Sequence, residues 1–288
     1  MHYPTIALII PYFGSSPKWF SIFIETCKHN PSVSFFLFTD FRVSIPVSKN
    51  IHIIPFSLTE FNSLASKKLG LAVNILHPYK VCDFKPAFGV LFEDYLNQYK
   101  FWGHCDLDIV LGDIRKFITN EVLADYDVIT ARKEYLVGHF TLYKNYPKTN
   151  RLFEESSDYK FVFQSQKSFS FDECNFWWWN LLAGASISDT NPQIDSMTHV
   201  VKRLETGGYL KAYFETLILE QIKFNDHNEL EDWTDTVMWD NGKLFDLEQY
   251  GEYLYFHFHF LKRKKDFLIP DWTIVPAKFF ISNTGFSC

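Results

Sequence analysis

No CxxC pair, no long apolar run and no surplus of basic residues occur in these 288 residues, and each absence removes a class of function. The five cysteines, Cys27, Cys82, Cys105, Cys174 and Cys288, are odd in number and scattered. Neither a disulfide framework nor a cysteine metal site is expected, and a reduced, cytoplasmic chain is the simplest account. No stretch approaches the length needed to cross a bilayer, so membrane contact is expected at the surface only. No Lys or Arg precedes the short apolar run of MHYPTIALIIPYF, which makes it a poor secretory signal. A formal net charge of -6 argues against broad nucleic-acid binding, which needs a basic face. Internal repeats and low-complexity linkers are also missing. One domain over 1–288 is expected, with an N-terminal half, 1–145, and an elaborated C-terminal half, 146–288.

What is present is an ordinary globular composition with an aromatic excess. Hydrophobic residues make up 47% and charged residues 22%. Aromatics reach 19%, with 31 Phe, enough both to fill a core and to line a ring-binding surface. TIALII (5–10) reads as a buried strand ended by Pro11, followed by a helix over 17–29. SVSFFLFTD (32–40) and IHIIPF (51–56) are further strands. Apolar runs without alternation, separated by helices, predict an α/β fold with a mostly parallel sheet buried on both faces. A helix is predicted over 57–77. Another is predicted to start within HPYKVCDFKPAFG, with Asp83 as its cap and Pro86 in its first turn. Strands follow at 127–131 and 138–145, and a helix at 194–206. A hairpin turns at Asn241-Gly242, and YLYFHFHFL (253–261) alternates as a strand.

Within this pattern WGHCDLDIVLGDI (102–114) stands out, because carboxylates in an apolar strand are costly unless paired. If the strand persists, Asp106 and Asp108 share a face about 6.6 Å apart. A divalent cation between them would relieve their repulsion, and Mn²⁺ or Mg²⁺ suits oxygen ligands and phosphates. The plainer alternative is a solvated strand end. Lys80, Asp83 and Lys85 form a second group, read either as an anion site at a helix start or as solvated lysines beside a cap. His257 and His259 are expected on one strand face, with Phe256, Phe258 and Phe260 on the other. The pair offers metal or phosphate ligands, although no third soft ligand stands at zinc spacing. Lys262 and the rest of LKRKK are either a solvated run or partners for a diphosphate. Asp172 and Glu173, beside the run Phe176 to Trp179, are candidate general bases or a helix N-terminus above core tryptophans. Asp40 ends FLFTD as a nucleoside contact or a turn residue.

LIIPYFG, FLFTD, PYKVCDFKPAFG, FWGHCDLDIVLGDI, GHFTLYKN, FDE and HFLKRK, taken in order over residues 5–265, resemble a bacterial family of unknown function that looks like GT-A-type glycosyltransferases. The resemblance implies a Rossmann-like nucleotide-sugar fold. It places Asp106 and Asp108 as the DxD that holds a divalent ion on the donor diphosphate. Pro11, Tyr12 and Phe13 would lie against the base of a nucleotide-sugar, a UDP-sugar foremost, and Asp40 against the nucleoside. His259 would reach the metal or diphosphate, with His257 competing. Lys80, Asp83, Lys85 and Lys262 join the donor side. The expected acceptor is a glycan or lipid-linked glycan of capsule or lipopolysaccharide synthesis, and Asp172 or Glu173 is the base of an inverting transfer. A metal-dependent phosphoesterase and a non-catalytic carbohydrate-binding protein are the alternatives. The aromatic run and LKRKK also allow peripheral contact with an anionic inner-membrane face.

Overall fold

The computed structural model describes residues 5–220, 223–224, 230–231 and 235–288; residues 1–4 of the N-terminal stretch read above lie outside them. The chain opens with β1 (Ile6–Tyr12), α1 (Phe20–Lys28), β2 (Val33–Thr39), β3 (Ile51–Pro55) and α2 (Leu58–Leu69). After β4 (Phe101–Cys105) come β5 (Ile109–Leu111), β6 (Val128–Thr130), β7 (Phe140–Lys144), β8 (Ala212–Phe214) and β9 (Ile218–Glu220). The short pair β10 (Lys223–Phe224) and β11 (Leu230–Glu231) precedes β12 (Val237–Asp240), β13 (Lys243–Asp246), β14 (Glu252–Tyr253), β15 (Tyr255–His257), β16 (Lys278–Ser282) and β17 (Gly285–Ser287).

Seven strands form the central sheet in the order β3-β2-β1-β4-β7-β6-β8. The β1–β2, β2–β3, β1–β4 and β6–β8 pairings are parallel, and β7 runs against both of its neighbours. Ile6, Leu8 and Ile10 enter one apolar core, while Ala7 and Ile9 enter the core on the opposite face. Burial on both faces is why these strands read as unbroken apolar runs. The chain leaves β1 towards β2 and β3, then returns to add β4 on the other side of β1. That reversal opens a crevice at the strand ends between β1 and β4.

Besides the β10–β11 pair, two smaller sheets are built mainly from the C-terminal half. One has the order β5-β15-β9 and the other β14-β13-β12-β16-β17. The expected hairpin is present, with Asn241 at φ 48° and Gly242 at φ 88° joining β12 to β13. A third core, containing Trp239, Phe256, Phe258 and Phe279, lies under the five-stranded sheet.

Several sequence expectations are corrected. β1 does not stop at Pro11. It pairs with β2 as far as Tyr12, and Pro11 is tolerated because the β4 pairing has already ended at Ile9. The helix expected over 57–77 ends at Leu69, because Gly70 adopts a left-handed cap at φ 65°. Asp83 caps no helix; Pro78–Ala87 is a 3-10 helix with Asp83 inside it. The strand read over 253–261 breaks after His257, and Leu261–Arg263 is a 3-10 turn. Phe260 accordingly lies exposed, while Phe256 and Phe258 are buried.

Candidate functional site

A cavity of about 610 Å³ occupies the crevice between β1 and β4. Its floor is the sequence Asp106-Leu107-Asp108, and residues 168–179 and 257–263 supply walls. The DxD does not lie on a continuing strand. β4 stops at Cys105 and β5 starts at Ile109, so the three residues form the bend between two sheets. Leu107 is buried in the core that holds Ile6, Leu8 and Ile10, and anchors the bend. The two acids therefore face different partners and do not share a strand face.

Asp108 points inward. Its side chain is 6% exposed. Oδ2 accepts from Lys262 Nζ at 2.6 Å and lies 3.3 Å from His259 Nδ1 and 3.6 Å from His257 Nε2. Burial alone would raise this carboxyl, but the close His257, His259 and Lys262 side chains hold it well below the usual carboxylate range. His257 shows the converse. Burial opposes its charge, yet Asp108 and Glu220 push its pKa up to about 10. One ligand atom each from Asp108, His257 and His259 lie within 4.8 Å of one another, a spacing that fits a metal ion. Nε2 of His257 is also buried with no hydrogen-bond partner, an atom that a cation would satisfy.

Asp106 stands outside that trio and is one-third exposed. Its Oδ1 accepts from Lys85 Nζ at 2.7 Å. Lys85 is buried, donates also to the carbonyl of Gly138 at 2.8 Å, and lies 3.6 Å from Asp172 Oδ2. The anion site expected at a helix start is thus replaced by a lysine between two acids. Burial disfavours the Lys85 charge, but Asp106 and Asp172 outweigh it and raise its pKa.

Asp172 and Glu173 reach the cavity from a strained segment, in which Ser170, Asn175 and Phe176 have positive φ. Asp172 is 4% exposed, and burial lifts its carboxyl well above the usual range against the pull of Lys85. Glu173 uses both oxygens. Oε1 accepts from the Gly138 N–H at 2.7 Å, and Oε2 from Trp178 Nε1 at 2.7 Å and Ser170 Oγ at 3.1 Å. Glu173 is a brace, with its acceptors occupied. Gly138 permits this approach, since a Cβ there would lie 2.5 Å from Asp172 Oδ2. Neither acid caps the following helix, Trp178–Leu182. Trp177 and Trp178 pack against the core that holds Ile6, Leu8 and Ile10, while Trp179 stands at the cavity with Phe260, ring centroids 6.1 Å apart.

Two expected donor contacts are corrected. Lys80 and Asp83 are 2% and 0% exposed and do not line the cavity. Lys80 Nζ donates to Asp83 Oδ2 and to the carbonyls of Val162 and Lys167, each at 2.7 Å. Asp83 accepts the backbone N–H groups of Phe169 and Phe171. The pair is an internal clamp, because no face of it is open to a ligand. Pro11, Tyr12 and Phe13 do line the cavity. Asp40 lies in a neighbouring hollow, where Oδ1 accepts the Gly14 N–H at 2.8 Å and steadies the loop after β1.

Sequence reasoning missed Glu220, which lines the cavity, and its partners Arg132 and His139. They meet through pairings between distant segments, and no local motif marks them. Among the described residues no helix is long and apolar enough to cross a membrane.

Comparison with known proteins adds a family and a weak structural likeness. A family model described as "Family of unknown function (DUF6625)" matches residues 8–287. No curated protein matches by sequence. A solved structure of the galactosyltransferase LgtC, in complex with donor and acceptor sugar analogues, aligns over 74% of this chain and 75% of its own, at 10% identity and a TM-score of 0.36.

Proposed function

We propose, from the premise that the chain belongs to the family of unknown function DUF6625, that it is a metal-dependent glycosyltransferase. It moves a sugar from a nucleotide-sugar of the UDP class to a glycan or lipid-linked glycan acceptor in bacterial surface polysaccharide synthesis. One observation carries this reading. A single cavity at the strand-end switch point combines a cation-type ligand set, two lysines and a buried carboxyl of raised pKa.

Asp108, His257 and His259 would hold the ion. Two nitrogens and one carboxylate oxygen suit Mn²⁺ better than Mg²⁺, which prefers oxygen alone. Bound there, the ion supplies a Lewis acid that offsets charge on a leaving diphosphate. Lys262, paired with Asp108, adds positive potential to the same place. Asp106 is steadied by Lys85 through one oxygen and keeps the other for hydroxyls of the donor. Pro11, Tyr12 and Phe13 form the base-side wall, with Asp40 beyond it. Asp172 takes the proton of the acceptor hydroxyl, which implies inversion at the anomeric carbon. The exposed faces of Trp179 and Phe260 suit a sugar ring at the mouth.

A thermal-shift screen of nucleotides and nucleotide-sugars, with and without Mn²⁺, tests the reading. A UDP-sugar at about a hundredfold over its Kd should add about 2.7 kcal/mol of stability, only when metal is present. Indifference to every nucleotide in the presence of metal refutes it. Rapid turnover of simple phosphate esters would make the protein a phosphoesterase instead.

A further inference from the structure

Glu220 stands behind the proposed metal ligands. The parallel pairing of β9 with β15 sets it opposite His257 in register. Its Oε1 accepts from His257 Nδ1 at 2.5 Å and lies 3.2 Å from His139 Nε2, while Oε2 accepts from Arg132. His139 Nδ1 in turn meets the Tyr255 hydroxyl at 2.6 Å. Arg132, His139 and Tyr255 are buried and the Glu220 side chain is 6% exposed, so these contacts hold Glu220 from two sides.

His139, Glu220 and His257 also bring ligand atoms within 4.8 Å of one another, a spacing that fits a second ion. Two features disfavour it. The carboxylate already carries the Arg132 charge, which opposes a dication in a buried place. The facing atoms of the trio are also already engaged with one another. The remaining consequence concerns His257. With the Nδ1 proton committed to Glu220, an ion beside Asp108 would take the place of the Nε2 proton, and Nε2 is the atom that faces Asp108 without a hydrogen-bond partner.

We propose that Glu220 is a positioning residue that accepts the Nδ1 proton of His257 and so presents Nε2, beside Asp108, to a metal ion. The proposal rests on the metal site of the preceding subsection. Glu220 acts through His257, and Arg132 pairs with Glu220 and holds it in place.

The test is a double-mutant cycle on Mn²⁺ affinity, read in the full chain by the electron paramagnetic resonance of free Mn²⁺. Glu220→Gln should weaken Mn²⁺ binding about 10- to 100-fold in the wild-type background, and by nothing further in His257→Gln. The nitrogen modulation in spin-echo spectra of the bound ion should fall to the level of His257→Gln. If Glu220→Gln fails to give the native circular dichroism spectrum, Glu220→Asp replaces it, keeping a charge opposite Arg132 while withdrawing from His257. Equal losses in both backgrounds, or an unchanged affinity with wild-type protein that binds Mn²⁺, overturn this proposal alone. Absence of Mn²⁺ binding by the wild-type chain overturns the metal site and this proposal together.

Discussion

Asp108 concentrates the electrostatics of the cavity in one side chain. A buried carboxylate is costly unless paired, and here Lys262, His259 and His257 surround it. Asp108→Asn keeps the volume and removes the charge, leaving Lys262 and His259 without this counter-charge and His257 with Glu220 alone. Mn²⁺ affinity should fall at least about 100-fold and sugar transfer at least about 1000-fold, with an unchanged circular dichroism spectrum. Calorimetric Mn²⁺ titration and product analysis by mass spectrometry check both. Mn²⁺ binding at wild-type affinity in this variant would move the ion elsewhere. Gly138 is the second sensitive residue. An added methyl meets Asp172 Oδ2 at 2.5 Å, a buried carboxyl 3.6 Å from Lys85, and Glu173 Oε1 at 3.1 Å, a carboxylate held by short hydrogen bonds. Gly138→Ala should cost about 1–3 kcal/mol in urea unfolding and lower transfer by displacing Asp172. Wild-type stability would show that residues 170–173 yield freely.

At the scale of elements, the 3-10 helix Pro78–Ala87 is the part that propensity could least foresee. Phe84, Phe88, Leu91 and Phe92 recur at helical spacing, so an α-helix capped by Asp83 is a fair reading of the sequence. Tertiary hydrogen bonds decide otherwise. Asp83 binds two backbone N–H groups of the 169–171 segment, and Lys80 binds two carbonyls at 162 and 167. One turn thereby ties the segment that carries Lys85 to the segment that carries Asp172. A buried ion pair adds little net stability, but removing one partner leaves the other charge stranded. Asp83→Ala should therefore destabilise by about 3–5 kcal/mol. A double variant, Lys80→Met with Asp83→Leu, should recover much of that loss while transfer stays impaired, since the 169–171 N–H groups lose their acceptor. Guanidinium denaturation of the three proteins distinguishes this from a surface pair, for which both single and double changes stay within about 0.5 kcal/mol.

For the whole molecule, legibility follows contact distance along the chain. β1, β2 and β4 are readable because each lies between two apolar cores and is almost wholly apolar, and the edge strand β3 carries an Ile-rich run of its own. The pairings β5–β15 and β15–β9 join residues 109–111 and 218–220 to 255–257, and no local pattern encodes them. The same holds for the site. Asp106, Asp108, His257 and His259 carry their chemistry in short spacings, whereas Glu220 gains its place only through the fold. One histidine of that long-range assembly connects the sheet to pH. His104, on β4, is fully buried, and its Nδ1 hydrogen-bonds the Gly138 carbonyl at 2.9 Å, which Lys85 also contacts. Burial first, and then the Lys85 charge, hold its pKa well below 6.5. The folded chain thus keeps His104 neutral where the unfolded chain binds a proton, and stability falls as pH drops below about 6.5. Between pH 7 and pH 5 this one group should cost about 2 kcal/mol. His104→Gln can still donate to the Gly138 carbonyl but takes up no proton. Urea unfolding in chelator at pH 7, 6 and 5 should show the wild type losing about 2 kcal/mol more than the variant over that range. Parallel pH curves for the two proteins would mean that His104 accepts its proton within the folded sheet.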